Sequence, residues 1–245
     1  MRLAGARVLV TGASSGIGTA IALELWARRA RLVLSGRDRE ALAAVSARTG
    51  GEAVPADLAQ DGTEELAARA GPVDVLVANA GEGWSGPLTR MPGGTAERLI
   101  AVNLTAPVRL TRLLLPAMVE RGRGHLVYVA SIAGVVGVPE EAVYAATKAG
   151  LLAFAESLRY ELPGIGVTTV VPGVVDTPFF ARRGTPYARR RPVPVPPERV
   201  ARAVAVAVER GRAEVYVPAW LRLPARLHGA APGPFRALAR RFGHP

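Results

Sequence analysis

The chain has 245 residues, 49% hydrophobic and 21% charged, which excludes a wholly disordered polypeptide and favours one large globular domain over two. Basic side chains outnumber acidic ones 31 to 20, a net charge of +11, yet the first 181 residues are balanced and the whole excess falls in the last quarter, so the body carries no nucleic-acid signature. The absence of cysteine excludes disulfides, thiolate metal centres and cysteine nucleophiles, and a reducing cytoplasmic setting is compatible with it.

From the N-terminus, short apolar runs at 7–10, 31–34, 52–54, 73–78, 125–130, 166–171 and 214–217 lack strict polar alternation, which is how parallel strands covered on both faces read. Helical patterns separate them at 17–29, 38–48, 63–70, 95–120, 142–161 and 197–211, with Asp38 as a plausible cap and Pro197 at a first helical position. This alternation predicts an α/β fold: a single-domain, Rossmann-like, doubly wound parallel sheet of about seven strands flanked by helices. No signal peptide is expected, because the first apolar run passes into Thr11-Gly12 without a small-residue cleavage site. No stretch reaches the ~18 apolar residues that span a bilayer. Residues 176–197 hold six prolines and five arginines and read as a long loop of the kind that closes sites. The catalytic domain is expected over 1–217, with 218–245 a basic, apolar tail and not an independent domain.

Two motifs and one spacing carry chemistry. Thr11-Gly12-Ala13-Ser14-Ser15-Gly16-Ile17-Gly18 follows the first strand and opens a helix, where glycines allow a tight turn and a pyrophosphate can sit against unpaired N–H groups. Its G-x-x-x-G-x-G spacing differs from the Rossmann fingerprint, and a purely structural turn stays open on this evidence alone. The second strand ends in Ser35-Gly36-Arg37 without a carboxylate for a ribose 2′-hydroxyl. The planar fork of Arg37 suits a 2′-phosphate, so NADP(H) is favoured and NAD(H) remains an alternative. Tyr144 and Lys148 are spaced i, i+4 on one helix face, with Ser131 upstream. A tyrosine used as acid/base near neutral pH needs a cation beside it, and Lys148 is the single lysine of an arginine-biased chain. Such i, i+4 pairs are common on solvated helix faces, so the spacing gains its weight from the other motifs.

Taken together, these features resemble the short-chain dehydrogenase/reductase (SDR) family over about residues 3–217. Thr11 to Gly18 matches the family's T-G-x-x-x-G-x-G, Asn79-Ala80-Gly81 its N-A-G, and Asp57-Leu58 its acidic position near the adenine. Asn103 matches the helix asparagine of the catalytic tetrad, Ser131 precedes Tyr144 by a usual interval, and Pro172-Gly173 with Val175 and Thr177 matches the segment beside the nicotinamide. The resemblance implies an NAD(P)-dependent oxidoreductase that interconverts a ketone or aldehyde and its alcohol. In it Tyr144 is the acid/base, Ser131 orients the substrate oxygen, Lys148 holds ribose hydroxyls and lowers the Tyr144 pKa, and Asn103 maintains a water path. The implied cofactor contacts are Gly12, Ser14, Ser15, Gly16, Ile17, Gly18, Ser35, Arg37, Asp57, Leu58, Asn79, Ala80, Gly81, Asn103, Tyr144, Lys148, Pro172, Gly173, Val175 and Thr177, and no metal is expected. A homodimer or homotetramer is also implied.

By matching position the substrate pocket draws on Ser131, Ile132, Val138, Tyr144, Trp84, Val174 and Phe179, with Glu82 and Gly83 beside them. This mostly apolar lining suits a lipid-like, steroid-like or polyketide-like compound. The basic excess over 182–245, including Arg182, Arg183 and Arg189 to Arg191, admits three readings: an anionic substrate or carrier, peripheral contact with an anionic membrane surface, or solvated arginines with Trp220 and Leu221 packed on a neighbouring subunit. A catalytically silent nucleotide-sensing scaffold is the rival to an enzyme.

Overall fold

Seven strands build one parallel sheet in this computed structural model, which describes residues 1–60, 62–187 and 192–242. In chain order the elements are β1 (Arg7–Thr11), α1 (Gly16–Ala27), β2 (Arg31–Gly36), α2 (Arg39–Thr49), β3 (Glu52–Pro55), α3 (Gly62–Ala70) and β4 (Val75–Ala78). Helix α4 (Thr95–Ile100) then runs through a π turn (Ala101–Thr105) into α5 (Ala106–Glu120). β5 (His125–Val129), the one-turn α6 (Ala133–Val136), α7 (Ala142–Glu161), β6 (Gly166–Pro172), α8 (Phe179–Arg182), α9 (Pro197–Arg210), β7 (Glu214–Val217), α10 (Arg222–Ala230) and α11 (Pro232–Phe242) follow.

The strand order is β3-β2-β1-β4-β5-β6-β7. The direction of winding reverses between β1 and β4, which opens a crevice at the C-terminal ends of these strands, the place where such sheets bind ligands. Successive side chains leave a strand on opposite faces, and here both faces are buried. Val8, Val10, Leu32 and Leu34 pack under α1, α2 and α9, while Leu9, Val33, Leu76 and Leu126 pack under α3, α5 and α7. That double coverage is why the strands read as continuous apolar runs.

Local chemistry sets the element ends. The Asp38 carboxylate accepts the Ala41 amide at 2.9 Å and caps α2, which Gly50 ends in the left-handed region. Pro197 starts α9. Just before β4, the Asp74 carboxylate accepts the Arg7 amide at 2.9 Å, while its main chain bonds to both Arg7 and His125. The long loop is partly structured: α8 opens it, and Val175 pairs with Val195 across its base. Arg189, Arg190 and Arg191 lie outside the described residues.

One expectation needs correcting. The continuous helix Thr95–Glu120 is long and apolar enough, by length and composition, to cross a bilayer. Its apolarity is accounted for by Leu99, Val102, Leu110, Leu114 and Met118, all buried within the fold. Beyond β7 the chain forms α10 and α11; Leu221 and Ala225 are buried there, and α10 packs against α6.

Candidate active site

The crevice is framed by bare backbone. Gly12 adopts a φ of +67°, and a Cβ there would lie 2.9 Å from the Ala80 Cα; one on Gly18 would lie 2.0 Å from the Gly12 carbonyl oxygen. Only glycine lets α1 come this close to the ends of β1 and β4. Thr11 Oγ1 accepts the amides of Asn79 and Ala80, each at 3.0 Å, and Asn79 Nδ2 donates to the Thr11 carbonyl at 3.0 Å. Helix α1 starts without a side-chain cap from Ser15 and without an acidic residue in its first turn. The N–H groups around Gly16, Ile17 and Gly18 are therefore placed to receive an anion. Thr177 stands over Gly16, within 3.1 Å of where a Cβ would be, and Ser14 Oγ is 2.7 Å from the equivalent point on Gly36. This cradle fits the pyrophosphate of a dinucleotide, and Ser35 Oγ is buried with no hydrogen-bond partner among the described residues.

At the other end of the crevice, β5, the π turn and α7 converge. Lys148 is buried, its Nζ donates to the Val129 carbonyl at 3.0 Å, and it lies 5.8 Å from the centre of the Tyr144 ring. Gly81 makes this approach possible: a Cβ there would sit 3.3 Å from Lys148 Nζ and 3.4 Å from Asn103 Oδ1. Burial pushes the Lys148 ammonium down to about 8 and the Tyr144 phenol up to about 12, the latter shift opposed by a hydrogen bond from Ser131 and by the Arg183 charge. Desolvation, with the Glu141 carboxylate adding to it, outweighs Ser131 and Arg183, and the phenol is held neutral.

Asn103 has both ends of its side-chain amide bonded to protein groups. Its Oδ1 accepts the Glu82 amide at 2.8 Å, while its Nδ2 donates to the Glu82 carbonyl at 2.9 Å and to Thr147 Oγ1 at 3.1 Å. The side chain thereby staples the segment after β4 to α7. The π turn aims Asn103 inward in the middle of a long helix, and such turns recur at functional positions.

The predicted pocket residues divide into two groups. A cleft of about 630 Å³ is lined by Glu82, Gly83, Trp84, Ser85, Gly93, Gly94, Thr95, Arg98, Leu99, Arg182, Arg183 and Gly184. Of the residues assigned to the pocket by position, Trp84 lines this cleft, and Ser131, Ile132, Val138, Tyr144 and Val174 are not among its lining. Phe179 stands between the cleft and Tyr144: its ring centre is 5.6 Å from that of Tyr144, and it abuts Gly83, where a Cβ would meet its Cζ at 2.6 Å. Phe180 and Tyr187 continue the aromatic row. Arg183 pairs with Glu141, immediately before α7, and both side chains are largely shielded from solvent. It also stacks on Phe180 at 4.6 Å. Arg37, the residue assigned to a 2′-phosphate, contacts Glu82 at 2.6 Å.

Comparison with known proteins bears on this arrangement. Residues 6–187 match the model of the short chain dehydrogenase family. The chain belongs to that family. An uncharacterized oxidoreductase of Myxococcus xanthus is 38% identical over 96% of both chains. Among solved structures, a short-chain dehydrogenase from Sphingobium yanoikuyae in complex with NADPH superposes with a TM-score of 0.83 at 31% identity, covering 93% of this chain and 96% of the other. A 3-ketoacyl-(acyl-carrier-protein) reductase from Brucella melitensis complexed with NADH gives 0.81 at 26% identity, covering 88% and 97%. As a short-chain dehydrogenase this chain is an NAD(P)-dependent oxidoreductase, and the silent scaffold is set aside.

Neither Arg98 nor Glu141 stands out in the sequence as a site residue, because each acts through a partner far away in the chain. The available hint was a carboxylate, Glu82, directly after Asn79-Ala80-Gly81 in a lining otherwise read as apolar.

Proposed function

We propose that the enzyme interconverts a ketone or aldehyde and its alcohol on an apolar or amphipathic small molecule, with NADPH preferred over NADH. The observation that carries this reading is the buried Tyr144 phenol, with Ser131 near enough to lower its pKa and the Lys148 ammonium beside its ring. A bound nicotinamide supplies or accepts the hydride at its C4 position. Held neutral, Tyr144 is in the form that donates a proton to the carbonyl oxygen as the carbon is reduced, and in the reverse direction it takes the proton back. Ser131 orients that oxygen. Lys148, fixed on the Val129 carbonyl, places positive charge beneath the ring and stabilises the phenolate that forms as the proton leaves. Asn103 holds the backbone of Glu82 and, through Thr147, the turn of α7 that carries Tyr144; Thr147 Oγ1 donates to the Tyr144 carbonyl at 2.7 Å.

Arg37 at the end of β2 supports the NADPH preference, and so does the NADPH bound by the Sphingobium relative. Trp84 and Leu99 beside Arg182 in the cleft support a substrate with an apolar body and a polar or anionic end, such as a β-ketoacyl compound. Tyr144→Phe removes the proton and keeps the ring. Turnover of apolar ketones with NADPH is expected to fall by at least about a thousandfold, with NADPH binding by fluorescence titration unchanged; retained turnover sinks the reading.

A second reading concerns the basic end of the chain. Trp220, Leu223 and Leu227 are exposed beside Arg222 and Arg226, a pairing of apolar and cationic side chains that supports peripheral contact with an anionic lipid surface.

A further inference from the structure

Four charges close into one set at the C-terminal ends of β2, β3 and β4. Glu82 Oε1 lies 2.6 Å from Arg37 Nη1 and accepts from Arg98 Nη2 at 2.9 Å. Glu82 Oε2 accepts from Arg98 Nε at 2.9 Å, and Arg98 Nη2 extends to Asp57 Oδ2 at 3.5 Å. The grip of Arg98 on Glu82 is bidentate, the strong geometry for a guanidinium and a carboxylate. Glu82 is also fixed through its main chain, since Asn103 holds both its N–H and its carbonyl. Among the described residues Arg37 makes one ion pair, and its side chain is 51% exposed, against 21% for that of Glu82. Of the two partners, Arg37 is the one free to move.

Resting on the NADPH reading above, we propose that Glu82 is a specificity-determining residue: it is the counter-ion that Arg37 exchanges for a 2′-phosphate, and its charge sets the margin between the phosphorylated and unphosphorylated nucleotides. A 2′-phosphate arriving at the end of β2 attracts Arg37 but is repelled by the Glu82 carboxylate, which Arg98 and Asn103 keep in place. Arg37 must therefore leave one anion to take the other, and the gain is the difference between two charged contacts. A ribose carrying only hydroxyls asks for no exchange and leaves the pair intact. The site as built is restrained in its response to the phosphate, and removing the Glu82 charge releases that restraint.

The test is binding of 2′,5′-ADP and 5′-ADP to the intact protein by calorimetry, which isolates the adenosine end from turnover. Glu82→Gln keeps an acceptor oxygen for Arg98 and removes the charge. It is expected to tighten 2′,5′-ADP about tenfold and to change 5′-ADP less than about twofold. In an Arg37→Gln background the same substitution should tighten 2′,5′-ADP no more than about twofold, since only the direct repulsion by Glu82 is relieved and the larger gain passes through Arg37. No change in the ratio of the two affinities, or equal tightening of both, overturns the role of Glu82. Arg37→Gln alone separates this failure from failure of the underlying reading. If it weakens 2′,5′-ADP while Glu82→Gln does nothing, only the Glu82 role falls; if it leaves 2′,5′-ADP untouched, the NADPH reading falls and the exchange with it. Thermal melts of each variant guard against misfolding, and Glu82→Ala, also without the charge, must show the same selective tightening if Glu82→Gln does not fold.

Discussion

Lys148 condenses the tension between stability and chemistry into one side chain. It is buried with its ammonium on a single carbonyl, and burial lowers its pKa from 10.5 to about 8. Below about pH 8 it is protonated in both the native and the unfolded chain, and the buried charge costs native stability in full. Between about 8 and 10.5 the unfolded chain holds a proton that the native protein has released, so native stability recovers as pH rises. Lys148→Met is therefore expected to stabilise the fold at pH 7 by on the order of 1 kcal/mol once the lost bond to Val129 is counted, and so to raise the melting temperature, with the gain shrinking towards pH 10 and turnover abolished. Melting curves at the two pH values check this, and a variant less stable than the parent at pH 7 contradicts it. At this scale the sequence was legible where chemistry is local: a lone lysine four residues after a tyrosine stands out. It was silent where partners are remote. Arg37 and Glu82 are far apart in the chain and meet only because the sheet order sets the end of β2 near the end of β4 through β1.

The elements divide in a similar way. Strands and crossover helices were readable because double coverage of the sheet writes apolar runs into the chain, and cap residues such as Asp38 mark their ends. The short α8 was not, since a four-residue helix in a proline-rich loop carries no period. Yet α8 bears the latch. Arg183 joins Glu141, immediately before α7, in a largely shielded pair, and Phe179 leans on the Tyr144 ring. Taking one partner from a charge-assisted hydrogen bond of this kind costs about 1–3 kcal/mol, and here the loss falls on a loop able to open. Arg183→Ala is expected to speed proteolytic cleavage within 179–187 and to raise KM for the carbonyl substrate several-fold, with the melting temperature shifted by only a few degrees. The charge-swapped pair, Arg183→Glu with Glu141→Arg, should restore part of the protection. Unchanged cleavage in Arg183→Ala shows that the pair does not hold the lid.

Across the whole molecule, charge and chemistry sit apart in sequence. The body is neutral and carries the crevice, while the basic excess gathers in the last quarter. There α10 turns Leu223 and Leu227 outward beside Arg222 and Arg226, with Leu221 and Ala225 anchoring the segment inward. Changing Trp220, Leu223 and Leu227 together to Ser leaves those anchors untouched. Flotation with vesicles rich in phosphatidylserine is expected to fall at least several-fold for this variant, and to be absent for the parent on neutral phosphatidylcholine vesicles. Equal flotation of variant and parent, or none for either, removes the membrane reading. The net charge alone announced this end of the chain; which side chains face outward required the helix. The burial of Lys148 has a practical consequence as well. It is the chain's single lysine and only 4% exposed, so an amine-selective reagent meets no exposed lysine side chain on the folded protein. Lys148 is acylated only as fast as the floor of the crevice opens, which turns ordinary acylation chemistry into a clock for that opening.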